Sequence, residues 1–123
     1  MKKKVTDIFN VPYGEGTTCC EPSKDEINAA IQKKELEPRS FQGDIAELLT
    51  EFNEQATGDF QEYCHLVRQY HANRIAFFVV NGWNDPIIVK KDGKMISDGL
   101  HRLKAAIHMG INEIDFEFEP TSD

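Results

Sequence analysis

Apolar residues recur with a helical period through the first half of the chain. In residues 44–55 they occupy the i, i+3, i+4 and i+7 positions of an amphipathic helix. This stripe consists of Ile45, Leu48, Leu49 and Phe52. A further helix is predicted from Asp59 to about His71, because Asp59 and Glu62 suit its first turn. Its buried stripe would consist of Phe60, Cys64, Val67 and either Tyr70 or His71.

An earlier helix is predicted from its start signal. Ser23-Lys24-Asp25-Glu26 fits the S-x-x-E capping box, in which the serine and the glutamate cap each other's main chain. The helix should therefore begin at Ser23, and Pro38 ends it at the latest. Residues 1–22 contain several prolines and glycines and are predicted to be irregular.

After residue 73 the apolar residues no longer recur with helical spacing, and the chain is predicted to form strands. The run "RIAFFVVN" (74–81) is rich in aromatic and β-branched residues and suits a strand buried on both faces. The runs "PIIVKK" and "KMIS" flank Asp92-Gly93, a dipeptide typical of tight hairpins. The run "EIDFEFE" alternates strictly, which directs Ile114, Phe116 and Phe118 inward.

A last helix is predicted from Leu100 to about Met109, ending at Gly110, where a C-terminal glycine belongs. Helices that precede a mixed strand region indicate an α+β protein. We expect N-terminal helices packed on a small mixed β-sheet, with a motif-bearing C-terminal helix. We predict that residues 1–40 form an N-terminal extension and residues 41–120 the main domain, packed together as one compact domain.

The charge balance narrows the classes of partner. The 123 residues carry 14 Lys and Arg against 21 Asp and Glu, a formal net charge of −7. This acidity argues against non-specific binding to duplex DNA, which depends on neutralising phosphates. It leaves room for a local basic pocket, and an acidic surface suits a basic protein partner.

The cysteine pattern and the hydropathy of the chain predict the cellular compartment of the protein. The cysteines, Cys19, Cys20 and Cys64, lack C-x-x-C spacing, so neither a disulfide framework nor a structural metal is expected. The chain contains no run of about 18 apolar residues, so no membrane span is expected. We therefore expect a cytoplasmic protein with reduced thiols.

The stretch Asp98-Gly99-Leu100-His101-Arg102 concentrates chemistry at the start of the last helix. The helical angle places Leu100, Leu103, Ala106 and Ile107 on a buried face, with His101, Lys104 and His108 opposite. Arg102 falls at the edge of the apolar face, in the first turn. A cation there opposes the helix dipole, and an anion bound at the helix N-terminus would reverse that penalty.

Three residues of this stretch can be explained either by a ligand site or by ordinary turn and cap structure. Gly99 permits close approach of the backbone or a positive φ. Asp98 could accept a hydrogen bond from a hydroxyl group, hold Mg²⁺ or act as a base, or it could simply cap the helix. Arg102 could bind an anion, or it could pair with a carboxylate such as Glu113 or Asp115. The residues alone leave both readings open.

The segment "DPIIVKKDGKMISDGLHRLKAAIHMGINEIDFEF" resembles the ParB/sulfiredoxin-like superfamily. In that superfamily, a Pro-Ile-x-Val strand leads to a D/E-G-x-H-R motif that opens a helix. A Leu-x-Ala-Ala pattern and a glycine before the last strand follow the motif. The likeness covers roughly residues 60–119 and extends to small members found in phages and mobile elements. It implies nucleotide binding, with Gly99, His101 and Arg102 at the phosphates and Asp98 beside them.

Two departures limit what the resemblance implies. Sulfiredoxin has a catalytic cysteine directly before its His-Arg pair, whereas this chain has Leu100, so repair of sulfinic acid is not expected. Partition proteins continue into DNA-binding and dimerisation domains that have no counterpart in these 123 residues. A centromere-binding role is therefore not expected either. Some relatives are small-molecule kinases that use the equivalent acidic residue, and this chemistry remains open for Asp98.

Two functional hypotheses follow from the sequence. In the first, the domain binds a phosphorylated ligand such as CTP, ATP or ADP, with Mg²⁺ held by Asp98. If the site is catalytic, nucleotide hydrolysis or phosphoryl transfer fits best, with Asp98 and His101 as the catalytic pair. In the second, the chain is a non-catalytic interaction module of a phage or mobile element.

Overall fold

The computed structural model describes residues 2–9, 21–90 and 96–119. These residues form an α+β protein, as the sequence predicts. The elements in chain order are β1 (Lys2–Lys4), α1 (Val5–Phe9), α2 (Lys24–Lys33), α3 (Phe41–Ala56), α4 (Phe60–Asn81), β2 (Ile87–Val89), β3 (Ile96–Asp98), α5 (Leu100–Met109) and β4 (Glu113–Phe118). None of the described helices is long and apolar enough to cross a membrane.

The chain divides into two compact units. The helical unit is Cys19–Phe77, and the sheet unit combines Met1–Thr18 with Phe78–Asp123. The division falls within α4, near its C-terminal end. The domain boundary predicted between residues 40 and 41 stays a prediction.

The sheet unit contains a four-stranded mixed sheet in the order β1-β4-β2-β3. The central pair, β2 and β4, is parallel, with Ile87 opposite Phe116. The outer pairs are antiparallel, and the β2–β3 pair shifts register between Ile88 and Val89. The predicted pairing of β2 with β3 is therefore confirmed, while the turn at Asp92-Gly93 lies outside the described residues.

The N-terminal segment is more regular than the sequence predicts. Residues 2–9 form β1 and α1 instead of an irregular lead-in. Val5 and Ile8 are buried in the core of the sheet unit, and the Val5 amide donates to the carbonyl of Asn112 at 2.7 Å. Strand β1 escapes prediction because its three lysines are all exposed and show no apolar alternation. Residues 10–20 lie outside the described residues.

Helix α5 and strand β4 agree largely with their predictions. Helix α5 spans Leu100–Met109, and Gly110 ends it in the left-handed conformation. In β4, Ile114 and Phe116 are buried as expected, but Phe118 is exposed. Strand β1 pairs with residues 113–115, so no described residue of β1 lies beside the last part of β4.

The buried face of α5 is rotated from its predicted position. Its buried residues are Arg102, Leu103, Ala105 and Ala106. Ile107, predicted to be buried, is exposed, and Leu100 is partly buried against the core. Arg102 therefore lies within the buried arc of the helix and not at its edge.

The helical unit confirms the predicted start of α2. The Ser23 hydroxyl accepts from the Glu26 amide at 3.2 Å, and the Glu26 carboxylate accepts from the Ser23 amide at 3.0 Å. Helix α3 is interrupted at Asp44, where φ is −118° and ψ is 20°, so its predicted start corresponds to a kink. Leu48 and Phe52 are buried as predicted, whereas Ile45 is exposed.

Helix α4 corrects the largest error of the sequence prediction. The Asp59 carboxylate caps it by accepting from the amides of Gln61 and Glu62, as expected. The helix does not end near His71, however, but continues to Asn81 through the segment predicted as a strand. Its buried residues are Val67, Tyr70, His71, Ala72, Ile75 and Ala76. Phe60, expected in the stripe, is 76% exposed because it lies at the first helical position.

Candidate functional site

The candidate site begins at the turn between β3 and α5. Strand β3 ends at Asp98, and Gly99 follows as the residue before the helix, with a φ of 101°. That conformation is strained for any residue with a side chain. A Cβ atom on Gly99 would also lie 3.0 Å from Arg102 Nη2 and 3.1 Å from Ile87 Cγ1. Glycine is therefore required here for both conformation and space.

The Arg102 guanidinium binds three acceptors of the protein itself. Nη1 donates to the carbonyl of Asp85 at 2.9 Å and to that of Pro86 at 3.0 Å. Nη2 donates to Asp98 Oδ2 at 3.1 Å. The alternative that Arg102 pairs with a carboxylate is thus confirmed, but the partner is Asp98 and not Glu113 or Asp115, which the sequence suggested as examples.

The two members of this ion pair differ in exposure. The Arg102 side chain is 8% exposed, while that of Asp98 is 51% exposed. A buried guanidinium needs hydrogen-bond acceptors for its donors, and the two main-chain carbonyls supply them. The exposed surface of the pair therefore belongs to the carboxylate.

The first turn of α5 can receive an anion. Gly99 offers no side-chain oxygen to cap the helix, and the first intrahelical bond is the one from the Leu103 amide to the Gly99 carbonyl at 2.9 Å. The amides that precede Leu103 have no acceptor within their own helix. Together with the helix dipole, they form an environment that favours a negative group.

His101 lies in the same first turn and is partly buried. The structure brings Asp98, Gly99 and Arg102 into direct contact, and it places His101 next to them along the helix. The catalytic roles of Asp98 and His101 stay predictions.

The loop before β2 forms the part of the site that sequence reasoning missed. It supplies the carbonyls of Asp85 and Pro86, which are main-chain groups without a side-chain signature. Trp83 in this loop packs against the core of the sheet unit, with its ring 6.2 Å from that of Phe78. Asp98 and Arg102 are four positions apart, but Asp98 precedes the helix, so the i, i+4 spacing of helical residues does not predict their pairing.

The residues present fit a magnesium ion only in the company of a phosphate. No group of three or more His, Cys, Asp or Glu residues that could hold a metal occurs in the described ranges. Asp98 offers an exposed carboxylate, with Oδ2 already bonded to Arg102. Because Mg²⁺ is commonly held by one or two carboxylates plus substrate phosphates, Asp98 could be its protein ligand in a complex.

A second cluster of charges lies in the helical unit and is structural in character. Arg39 binds Glu37 at 2.7 Å, Glu47 at 3.3 Å and also Glu51. Hydrogen bonds from Glu37 and Glu51 raise the pKa of the Arg39 guanidinium further above its usual range. The Tyr70 hydroxyl donates to the Arg39 carbonyl at 2.7 Å, which ties the segment before α3 to α4.

Comparison with known proteins adds no relative. No protein-family profile matches the chain, and no curated protein or solved structure matches it. The resemblance to the ParB/sulfiredoxin-like superfamily therefore stays a prediction from the sequence.

Proposed function

We propose that the start of helix α5 binds the phosphate group of a nucleotide or of another phosphorylated ligand. The observation that carries this proposal is the left-handed Gly99 before an uncapped helix N-terminus, directly beside the exposed carboxylate of Asp98. The amides of Leu100 and His101 would donate to the phosphate, and the positive φ of Gly99 would form the turn that presents them.

The other residues of the site would complete the binding of a nucleotide. An imidazole N–H of His101 would add a hydrogen bond to a phosphate oxygen, and this bond is charge-assisted because the phosphate is ionised. Asp98 would accept a hydrogen bond from a hydroxyl group or a water molecule, or would act as a protein ligand of Mg²⁺. When bound, magnesium would neutralise phosphate charge.

If the site is catalytic, phosphoryl transfer or nucleotide hydrolysis suits these groups best. Asp98 would orient the attacking hydroxyl or water and accept its proton, since its carboxylate is exposed. His101 and the helix amides would stabilise the charge on the transferred phosphoryl group. Turnover measured under binding conditions would separate an enzyme from a nucleotide sensor.

A second candidate function is a non-catalytic module that binds a basic protein partner. The observation that favours it is the commitment of Arg102 to the protein's own acceptors, which a purely structural turn would also show. Helix α3 suits such a partner, because it contains acidic residues but no lysine or arginine.

Calorimetric titration with CTP, ATP, ADP and GTP, with and without Mg²⁺, tests the leading proposal. We expect at least one nucleotide to bind the wild type and to bind His101→Ala about tenfold or more weakly, the loss of one charge-assisted hydrogen bond. His108→Ala, a histidine variant in the last turn of the same helix, should bind as the wild type does.

The outcomes separate the two candidates. No binding to the wild type at millimolar nucleotide would contradict the phosphate site. Equal binding by His101→Ala would remove only His101 from it.

For the second candidate, a lysine-rich peptide should bind the wild type and bind Glu54→Lys more weakly, with Glu117→Lys in the sheet unit as the control.

A further inference from the structure

We infer that Arg102 is a positioning residue that holds the Asp98 carboxylate and the loop before β2, and that it does not itself contact the ligand. This inference deepens the proposed function and rests on it for the role of Asp98 towards a ligand. It differs from the expectation carried by the resemblance, in which Arg102 lies at the phosphates.

The donors of the guanidinium are largely committed. The two carbonyl bonds from Nη1, to Asp85 and Pro86, use both of its hydrogens. Nη2 gives one hydrogen to Asp98 Oδ2. A phosphate would have to replace these bonds, and with Arg102 only 8% exposed it would meet little of the guanidinium surface.

The guanidinium also lies on the core side of the turn. The position that a Cβ of Gly99 would occupy is 3.0 Å from Arg102 Nη2 and 3.1 Å from Cγ1 of the fully buried Ile87. Arg102 and Ile87 therefore meet Gly99 on the same side. A ligand that approaches the helix amides from solvent would meet Asp98 before it meets Arg102.

This placement gives Arg102 two effects on a bound ligand, both through Asp98. Holding Oδ2 leaves Oδ1 to face a ligand hydroxyl, a water molecule or Mg²⁺ in one orientation. Pairing also neutralises a carboxylate that would otherwise repel a phosphate at the same helix terminus. Loss of Arg102 should therefore weaken binding even without a direct contact.

The first experiment uses the protein without ligand and measures the χ1 rotamer of Asp98 by NMR couplings. We expect a single rotamer in the wild type and rotamer averaging in Arg102→Met. Lys104→Met, which removes another cation from α5, should leave the single rotamer intact. Arg102→Lys provides the test where Arg102→Met does not fold, because one ammonium cannot reproduce the planar fork. Averaging in the wild type, or an unchanged rotamer in both Arg102 variants, would overturn the inference.

The second experiment follows the wild-type NMR signals during titration with ATP and CTP in the presence of Mg²⁺. The amide signals of Leu100 and His101 should move, while the guanidinium signals of Arg102 stay in place. Guanidinium shifts as large as the amide shifts would show direct contact and overturn the inference. If no signal moves, the proposed nucleotide function fails, and the rotamer measurement still decides whether Arg102 positions Asp98.

Discussion

Arg68 and Arg102 both pair with a carboxylate, yet their surroundings differ. Arg68 in the helical unit donates from Nε to both carboxylate oxygens of Glu26, at 2.8 and 2.9 Å, and from Nη2 to Oε1, and its side chain is 44% exposed. Arg102 in the sheet unit is 8% exposed and adds two main-chain carbonyls to its single carboxylate contact.

This comparison shows what decides how much an arginine side chain stabilises the fold. Its burial and its hydrogen-bond acceptors matter more than the ion pair itself. An exposed pair contributes little because water and salt screen it. A buried guanidinium joins segments that are distant in sequence, and its removal leaves the two partly buried main-chain carbonyls without their donor. Arg102 therefore holds a turn in shape, whereas Arg68 reinforces a helix cap that already exists.

The first comparison removes each of the two arginines in turn. Arg102→Met should reduce the free energy of unfolding by about 3 kcal/mol, because the carbonyls of Asp85 and Pro86 lose their donor. Arg68→Met should cost at most about 1 kcal/mol. Denaturant unfolding of both variants checks this, and equal losses would contradict the contrast between the two sites.

The two glycines that flank α5 provide the next comparison. Gly99→Ala combines a strained φ with close contacts to Arg102 and Ile87, and should cost about 2–4 kcal/mol. Gly110→Ala has a φ of 74° but meets no atom within 4 Å, so only strain of about 1 kcal/mol is expected. Thermal unfolding of the pair measures the difference, and a smaller loss for Gly99→Ala would show that the turn can rearrange.

Low pH should weaken the ion pair between Arg68 and Glu26 over a defined pH range. Hydrogen bonds from Arg68 and from the Ser23 amide lower the pKa of Glu26 to about 2 from 4.5. Since the folded pKa is the lower one, the stabilisation is complete above pH 4.5 and is lost as the pH falls towards 2. Because both side chains are partly exposed, about 1–2 kcal/mol is at stake. Arg68→Met should flatten this slope, and an unchanged slope would assign the acid sensitivity to other carboxylates.

The smallest effect concerns the cap that Arg68 reinforces. Ser23→Ala removes the hydroxyl that accepts from the Glu26 amide and should cost about 1 kcal/mol. Ser23→Thr keeps an acceptor and serves as the control. Urea unfolding at neutral pH measures both variants, and a loss in the threonine variant as large as in the alanine variant would indicate a packing effect.

Local signals explain why parts of this fold were predictable. The capping box at Ser23, the stop at Gly110 and the alternation at Ile114 and Phe116 each depend on neighbouring residues, and all three occur in the structure. Strand β1 and the pairing of Arg102 with the Asp85 carbonyl depend on distant partners. Such partners leave little trace in a single sequence.

The segment 74–81 shows the limit of composition as a guide. Its β-branched and aromatic residues favour a strand, yet it forms the last part of α4. Helix α4 buries a wide arc that includes Tyr70, His71, Ala72 and Ile75, so its apolar residues do not form a narrow stripe. A short apolar run in such a helix cannot be distinguished from a buried strand by period alone.

The central claim is that the Arg102 guanidinium belongs to the fold and not to a ligand. Nitrogen-15 NMR of the arginine side chains in the ligand-free protein tests it most directly. We predict separate, slowly exchanging Nη–H signals for Arg102, because rotation about Cζ–Nε would break three hydrogen bonds, and averaged signals for Arg68. Averaged, rapidly exchanging signals from Arg102 would contradict the account.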